Sequence, residues 1–385
     1  MRLSKRSELP GETHPLALLR EKLAGEGREV LDWSHGNPTT AKLGWPTPAV
    51  VDAFAKDAWL AYEPAPLGLP HAREALATHL AREGLSITAD DVVVVASTSE
   101  AYANLFKILC DAGDNVLVPA PSYPLFDELA RWEGIELRPY RLAYAGEWHV
   151  DLASVRAACN ERTRAILVVS PNNPTGSCLT EDELRRLAEF GLPIIADEVF
   201  CKAPATGNAR TLSARTVLHD HAHVVLDGLS KRLALPQVKC GWMLLGGPQA
   251  FRRELSTRLE YALDAQLSLS VPVQHALIDL LALEANAAEA LAFRITESER
   301  ALRSAFSGTI VSVLERQAGW CAVLRVPCDD DEELAMRLLD AHGVYAMPGA
   351  FFAFASAGFL VVSLLTDPAD VKRAAVALLD VLAEG

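Results

Sequence analysis

The sequence has few of the features that mark a secreted, membrane-bound or metal-binding chain. Its seven cysteines (110, 159, 178, 201, 240, 321 and 328) are odd in number and scattered, with no CxxC or Cys/His spacing. That excludes a disulfide framework or a zinc site read from spacing, and predicts reduced thiols. No stretch approaches the roughly 18 uninterrupted apolar residues of a membrane span. The opening Met1–Pro10 is polar and lacks the apolar core of a signal peptide. Basic residues are the minority, 36 Lys and Arg against 50 Asp and Glu, for a formal net charge of −14. With no basic patch to offset that charge, a nucleic-acid surface is disfavoured. Internal repeats, low-complexity tracts and long linkers are also absent. These absences leave a cytoplasmic globular protein of 385 residues, half of them apolar, long enough for two domains.

The middle of the chain does have a pattern. Between residues 90 and 246 short apolar runs recur: Val92–Ala96, Asn115–Pro119, Glu136–Leu142, Ala165–Ser170, Pro193–Val199, His223–Leu226 and Cys240–Leu245. Helical spacing fills gaps between them, as over Glu100–Cys110 and Ser122–Trp132. Thr180-Glu-Asp-Glu183 reads as a capping box for a helix starting just after Gly176. Strands that are apolar throughout suit a sheet covered on both faces. An α/β domain with a mostly parallel sheet of about seven strands is therefore predicted. The last 100 residues alternate helices (Asn286–Phe306, Asp331–His342, Pro368–Leu382) with short strands, the pattern of a smaller α+β domain. The division predicted is 41–270 for the large domain and 271–385 for the small one. Residues 1–40 are expected to pack on the small domain or a partner subunit.

Ligands of such sheets bind beyond the carboxyl ends of the strands, and the chemistry-bearing residues collect there. Val92–Ala96 runs into Ser97-Thr98-Ser99-Glu100, hydroxyls at a helix start that can cradle a phosphate. Next come Pro121-Ser122-Tyr123-Pro124, then the turn Pro171-Asn172-Asn173-Pro174-Thr175-Gly176. Asp197-Glu198 follows an apolar run, and a buried carboxylate there needs a cationic partner. Gly228-Leu229-Ser230-Lys231 puts a lysine in an apolar setting, where desolvation makes it a usable nucleophile. Each signal has a bland alternative: hydroxyls are default helix caps, and a lone tyrosine is as often packing.

Taken together, the residues resemble the fold type I pyridoxal-phosphate enzymes, specifically the class I/II aminotransferases. The most specific parts are Asn173-Pro-Thr-Gly176, Asp197-Glu198, and Ser230-Lys231 followed by Lys239 and Gly241-Trp242; Ser34-His-Gly-Asn-Pro38 and Tyr62–Gly68 with Arg73-Glu74 extend the likeness. The resemblance implies an aminotransferase that uses pyridoxal 5′-phosphate and moves an amino group between an amino donor and a keto acid. Lys231 would hold the cofactor as a Schiff base and shuttle the proton. Asp197 would pair with the ring nitrogen, Asn173 bond the phenolic oxygen, and Tyr123 stack on the ring. Thr98, Ser99 and Lys239 would bind the phosphate, and Tyr62 would reach the neighbouring active site of a homodimer. The alternative on the same scaffold is a lyase, or another pyridoxal-phosphate reaction on an amine.

Four positions depart from the family pattern. Phe200 stands where a tyrosine is usual, Lys239 where an arginine is usual, and Gly228 where a serine is frequent. The fourth departure is in Phe359-Leu-Val-Val-Ser-Leu364, where Val361 replaces the arginine that holds the substrate's α-carboxylate. Either another cation takes over (Lys42, Lys202 or Arg325), or the substrate is not held as an ordinary α-amino acid. His35, Lys42, Trp45 and Phe351 are further pocket candidates by position.

Overall fold

The computed structural model describes residues 3–8, 11, 13–203 and 211–384, so parts of the polar opening stretch lie outside it. The apolar runs become strands β1 (Val92–Val95), β2 (Asn115–Ala120), β3 (Glu136–Tyr144), β5 (Thr163–Val169), β6 (Ile194–Asp197), β7 (His223–Gly228) and β8 (Gly241–Gly246). With β4 (Trp148–Val150) they form one eight-stranded sheet, in the order β1-β8-β7-β6-β5-β2-β3-β4. The eighth strand, β4, is a three-residue return antiparallel to β3, too short to announce itself as a periodic run. Pairs β7·β6, β6·β5, β5·β2 and β2·β3 are parallel; β8 runs antiparallel to both β1 and β7. Alternate residues of β1 supply different cores: Val92 and Val94 join one, Val93 and Val95 the other. That is why the run is apolar throughout, since both faces are covered.

Helices cover those faces. α1 (Pro15–Gly25) begins the chain's helices, and α2 (Thr98–Leu109) follows β1 directly. α3 (Glu181–Ala188) has the predicted capping box, Thr180 with Glu183, but begins at Glu181 rather than just after Gly176, because Thr180 itself is the N-cap. The helix read over Ser122–Trp132 begins at Leu125, after Pro124. α4 (Leu229–Arg232) is a single turn after β7, and α5 (Gln249–Asp264) follows β8.

The C-terminal portion is built from α6 (Glu284–Phe306), α7 (Asp331–His342) and α8 (Pro368–Ala383) around a four-stranded sheet. Its strands are β9 (Ser312–Val313), β10 (Cys321–Arg325), β11 (Met347–Pro348) and β12 (Phe359–Ser363), in the order β9-β10-β12-β11. α1 lies against α7, and Leu31–Asp32 pairs in parallel with Val344–Tyr345. The start of the chain thus packs on its C-terminal portion.

Candidate active site

The sheet's carboxyl pole gathers β6, β7 and the end of β1, with the first residue of β8 arriving from the opposite direction. Asp197 closes β6 and is buried. Its Oδ2 accepts from the Tyr102 hydroxyl at 2.6 Å and its Oδ1 from the Val199 amide at 3.1 Å. Burial nevertheless pushes its pKa up to about 6, only partly countered by those hydrogen bonds. Glu198, one residue on, points elsewhere, accepts from the Ala214 amide at 2.6 Å, and is pushed to about 8 by burial. The acidic pair read together in the sequence is therefore split, and Asp197 alone faces the site.

Lys231 sits on α4 with its Nζ 4.7 Å from the centre of the Trp320 ring and 5.6 Å from that of Phe200. The two rings meet edge to face at 5.0 Å. Desolvation by this wall holds the lysine below its ordinary pKa, against smaller upward pulls from Cys321 and Asp197. Cys321, which opens β10, also lies 3.6 Å from the Asn173 side-chain oxygen. Burial raises the thiol to about 11, so it is neutral at physiological pH. Lys231, Asp197, Asn173, Phe200, Trp320 and Cys321 thus converge from four separate stretches of chain.

On the other side of the pole, Ser97 caps α2 by accepting from the Glu100 amide at 3.1 Å, which leaves Thr98 and Ser99 uncommitted to the cap. The approach is tight: a Cβ on Gly241 would lie 3.2 Å from the Thr98 nitrogen. Lys239 is exposed two residues earlier, with φ +57. Gly228 has a structural reason beyond its missing hydroxyl, since a Cβ there would sit 2.9 Å from the Cys240 carbonyl oxygen. Tyr123 is exposed at the end of β2, and Tyr62 stands apart, three-quarters exposed.

The cations considered for the carboxylate fall in different places. Lys202 is committed to Glu83 at 2.9 Å and Glu284 at 3.4 Å, so it is not available as a substrate ligand. Lys42 and Arg325 are both exposed. Val361 is buried opposite Val323, with Arg325 two residues along β10 on the same face. Of the other positional guesses, Trp45 is buried and donates to the Leu233 carbonyl at 2.6 Å, bracing the turn after Lys231. His35 bonds Thr40, and Phe351 packs on His14.

Tyr102, Trp320 and Cys321 were not singled out in the sequence. Tyr102 lies four residues after Thr98, one helical turn, so the spacing offered a signal for it. Cys321 opens a strand of the small sheet and Trp320 immediately precedes it, and nothing local announces either.

The profile of the aminotransferase class I and II family matches residues 28–378. The chain belongs to that family. It is 30% identical over 268 residues to a glutamate-pyruvate aminotransferase of Escherichia coli K12, covering 68% of this chain and 66% of that protein. To nicotianamine aminotransferase 1 of Oryza sativa subsp. japonica it is 29% identical, over 66% of this chain and 53% of the relative. Alanine aminotransferase from Pyrococcus furiosus superposes with a TM-score of 0.91 at 25% identity, covering all of both chains. The fold is that of the fold type I aminotransferases, and their cofactor is pyridoxal 5′-phosphate.

The residues present fit that cofactor. Asp197 is a buried carboxylate whose neighbours do not bring it down to its ordinary pKa, as a cationic ring nitrogen would. Lys231 is a desolvated amine ready to act as a nucleophile. A helix start with close backbone approach and two spare hydroxyls suits a phosphate.

Proposed function

We propose that the protein is a pyridoxal-phosphate-dependent aminotransferase that moves an amino group from an amino donor to a keto acid, and that Lys231 is its central residue. The observation that carries this is the pairing of a desolvated lysine with a buried, under-neutralised aspartate at one sheet pole. When bound, the cofactor supplies an aldehyde that captures amines and a ring that accepts electron density. The rest falls to the chain. Lys231 would hold the cofactor through its Nζ, and that amine, its pKa lowered by burial, would take and return the substrate's α-proton. Asp197, oriented by Tyr102, keeps a ring nitrogen protonated. Asn173 donates to the phenolic oxygen without help from a tyrosine, because Phe200 has no hydroxyl. Thr98, Ser99 and Lys239 bind the phosphate, Lys239 as a point charge rather than a bidentate fork. Tyr123 covers the ring face.

Tyr62 serves the neighbouring site of a homodimer. Exposed Trp59, Leu60 and Tyr62 on the chain's early segment, with Leu267 and Ile278, supply the apolar surface that such contact would cover. We take the large domain as 41–270, the small one as 271–385, and the protein as cytoplasmic. With Val361 in place of an arginine, the donor's carboxylate is held by a cation from outside β12, or the donor is an amine without one.

The test is the cofactor's absorbance with single amino donors and no acceptor. Conversion to the amine form with one equivalent of keto product is expected. Ammonia release with the aldehyde form restored would overturn the transfer reading in favour of elimination.

A further inference from the structure

The opposite pole of the large sheet holds a second feature that the transfer reaction does not use. A cavity of about 900 Å³ lies where β1 and β7 begin and β8 ends. Four arginines (73, 215, 252 and 253) line it against two aspartates (90 and 91), in a chain whose formal net charge is −14. Arg215 is spent structurally: it bonds the carbonyls of Ser86 and Leu245 and pairs with Asp91 at 2.9 Å. Arg252 also pairs with Asp91, yet its Nε is buried with no partner among the described residues. Among the described residues, Arg253 makes no ion pair and is exposed at the rim.

The local electrostatics run against the usual rule. The 16-residue α5 starts at this cavity with Pro248 as its N-cap, no capping side chain and no acid in the first turn. Its fourth and fifth residues are Arg252 and Arg253. Cations are disfavoured at a helix N-terminus, whereas an anion there would satisfy both the N–H groups and the guanidinium groups.

A second observation comes from the cavity wall. His223 is 1% exposed, and its Nδ1 lies 2.8 Å from the His221 carbonyl oxygen, an acceptor only. Nδ1 therefore carries the proton, and Nε2 is a bare acceptor, buried and, among the described residues, without a partner. It faces Gly246, where an added Cβ would come within 2.0 Å of it. A buried acceptor left without a donor is rare.

We propose that this cavity is a binding site for a small phosphate- or carboxylate-bearing molecule that also carries a hydroxyl or ammonium donor. Arg252, Arg253 and the start of α5 take the anion, and His223 Nε2 accepts from the donor. The site lies at the far end of β7, the strand that leads to Lys231, separate from the cofactor's phosphate cradle at α2.

The test uses the cofactor-loaded protein with ¹⁵N-labelled histidine, titrated at constant ionic strength with orthophosphate and, in a separate arm, with malate. A saturable shift of the His223 Nε2 resonance is expected with at least one of them, and the responding arm identifies the anion chemistry. Arg253→Gln, at an exposed position, should weaken that response roughly tenfold, as should Arg252→Gln. If Arg252→Gln fails to fold, Arg253→Gln alone decides. No saturable shift with either anion, or one of equal affinity in Arg253→Gln, would overturn the assignment.

Discussion

Lys231 and Arg232 are consecutive cations on a single turn of helix, and the protein treats them in opposite ways. Arg232 is 2% exposed and saturated: it bonds Asp227 at 2.8 Å, Glu83 at 2.6 Å and Glu284 at 2.8 Å. His79 and Lys202 complete the cluster through the same two glutamates. Desolvation opposes the charge on Arg232, but the carboxylates outweigh it and raise its pKa well above the ordinary value. Lys231 faces aromatic rings, and desolvation prevails. The same cost of removing a cation from water is met by partners at one residue and left unmet at the next. A saturated charge holds structure together, whereas an unsaturated one is available for chemistry.

Removing each cation should expose the contrast most sharply. Lys231→Met should lower turnover by roughly 10⁴-fold or more, since nucleophile and proton carrier disappear together. The same change should leave the cofactor-free protein as stable as before or slightly more so, because an unpaired desolvated amine is replaced by a thioether. Arg232→Met should do the reverse, costing about 3–5 kcal/mol by stranding buried Asp227 and leaving Glu83 and Glu284 to His79 and Lys202 alone. Urea midpoints of the two cofactor-free variants check both signs. Equal destabilisation by the two would break the comparison.

The cluster around Arg232 also carries a pH signature. Hydrogen bonds donated to Glu284 and Glu83 raise His79 to about 9. A group whose folded pKa is raised stabilises fully below its ordinary value of 6.5, and that contribution is lost as pH rises through about 9. Glu284 works in the other direction: burial opposes its ionised form, but His79 and Arg232 overcome this and lower it to about 2. Its contribution is present above 4.5 and lost as pH falls towards 2. Because His79 keeps some contact with water, its share is put at about 2 kcal/mol. From pH 6.5 to 9.5 the parent protein should lose about 2 kcal/mol more stability than His79→Gln does.

How far the sequence shows this depends on where each residue's partners come from. Six of the seven runs were readable because strands buried on both faces leave no polar alternation; the seventh, β3, is buried only at Tyr140. Asp197, Asn173 and Lys231 were readable because each ends or follows such a run. Tyr102 had only its one-turn spacing from Thr98 as a signal, because it packs on Phe106 and Phe126 along an apolar helix face and so reads as core. Trp320 and Cys321 reach Lys231 across some ninety positions of chain, a contact made only by tertiary folding. The Arg232 cluster was hidden for the same reason: residues 79, 83, 202, 227, 232 and 284 each look like ordinary solvated charges in their own neighbourhood. Lys202 was misread accordingly, as a possible substrate ligand rather than a member of that cluster.

Asp197 falls between the two extremes, and the smallest predicted effect tests whether they form one scale. It has hydrogen-bond partners but no bonded cation, and its pKa of about 6 reflects that half-satisfied state. Tyr102→Phe removes the hydroxyl at 2.6 Å while keeping the ring packing, which should move Asp197 towards the unsaturated end, where Lys231 lies. In the cofactor-free protein the carboxyl stretch by infrared difference spectroscopy should then titrate at higher pH, with a stability loss of about 1 kcal/mol. An unchanged titration would mean that burial alone sets the aspartate's pKa, and that its hydrogen bond to Tyr102 serves to orient the carboxylate.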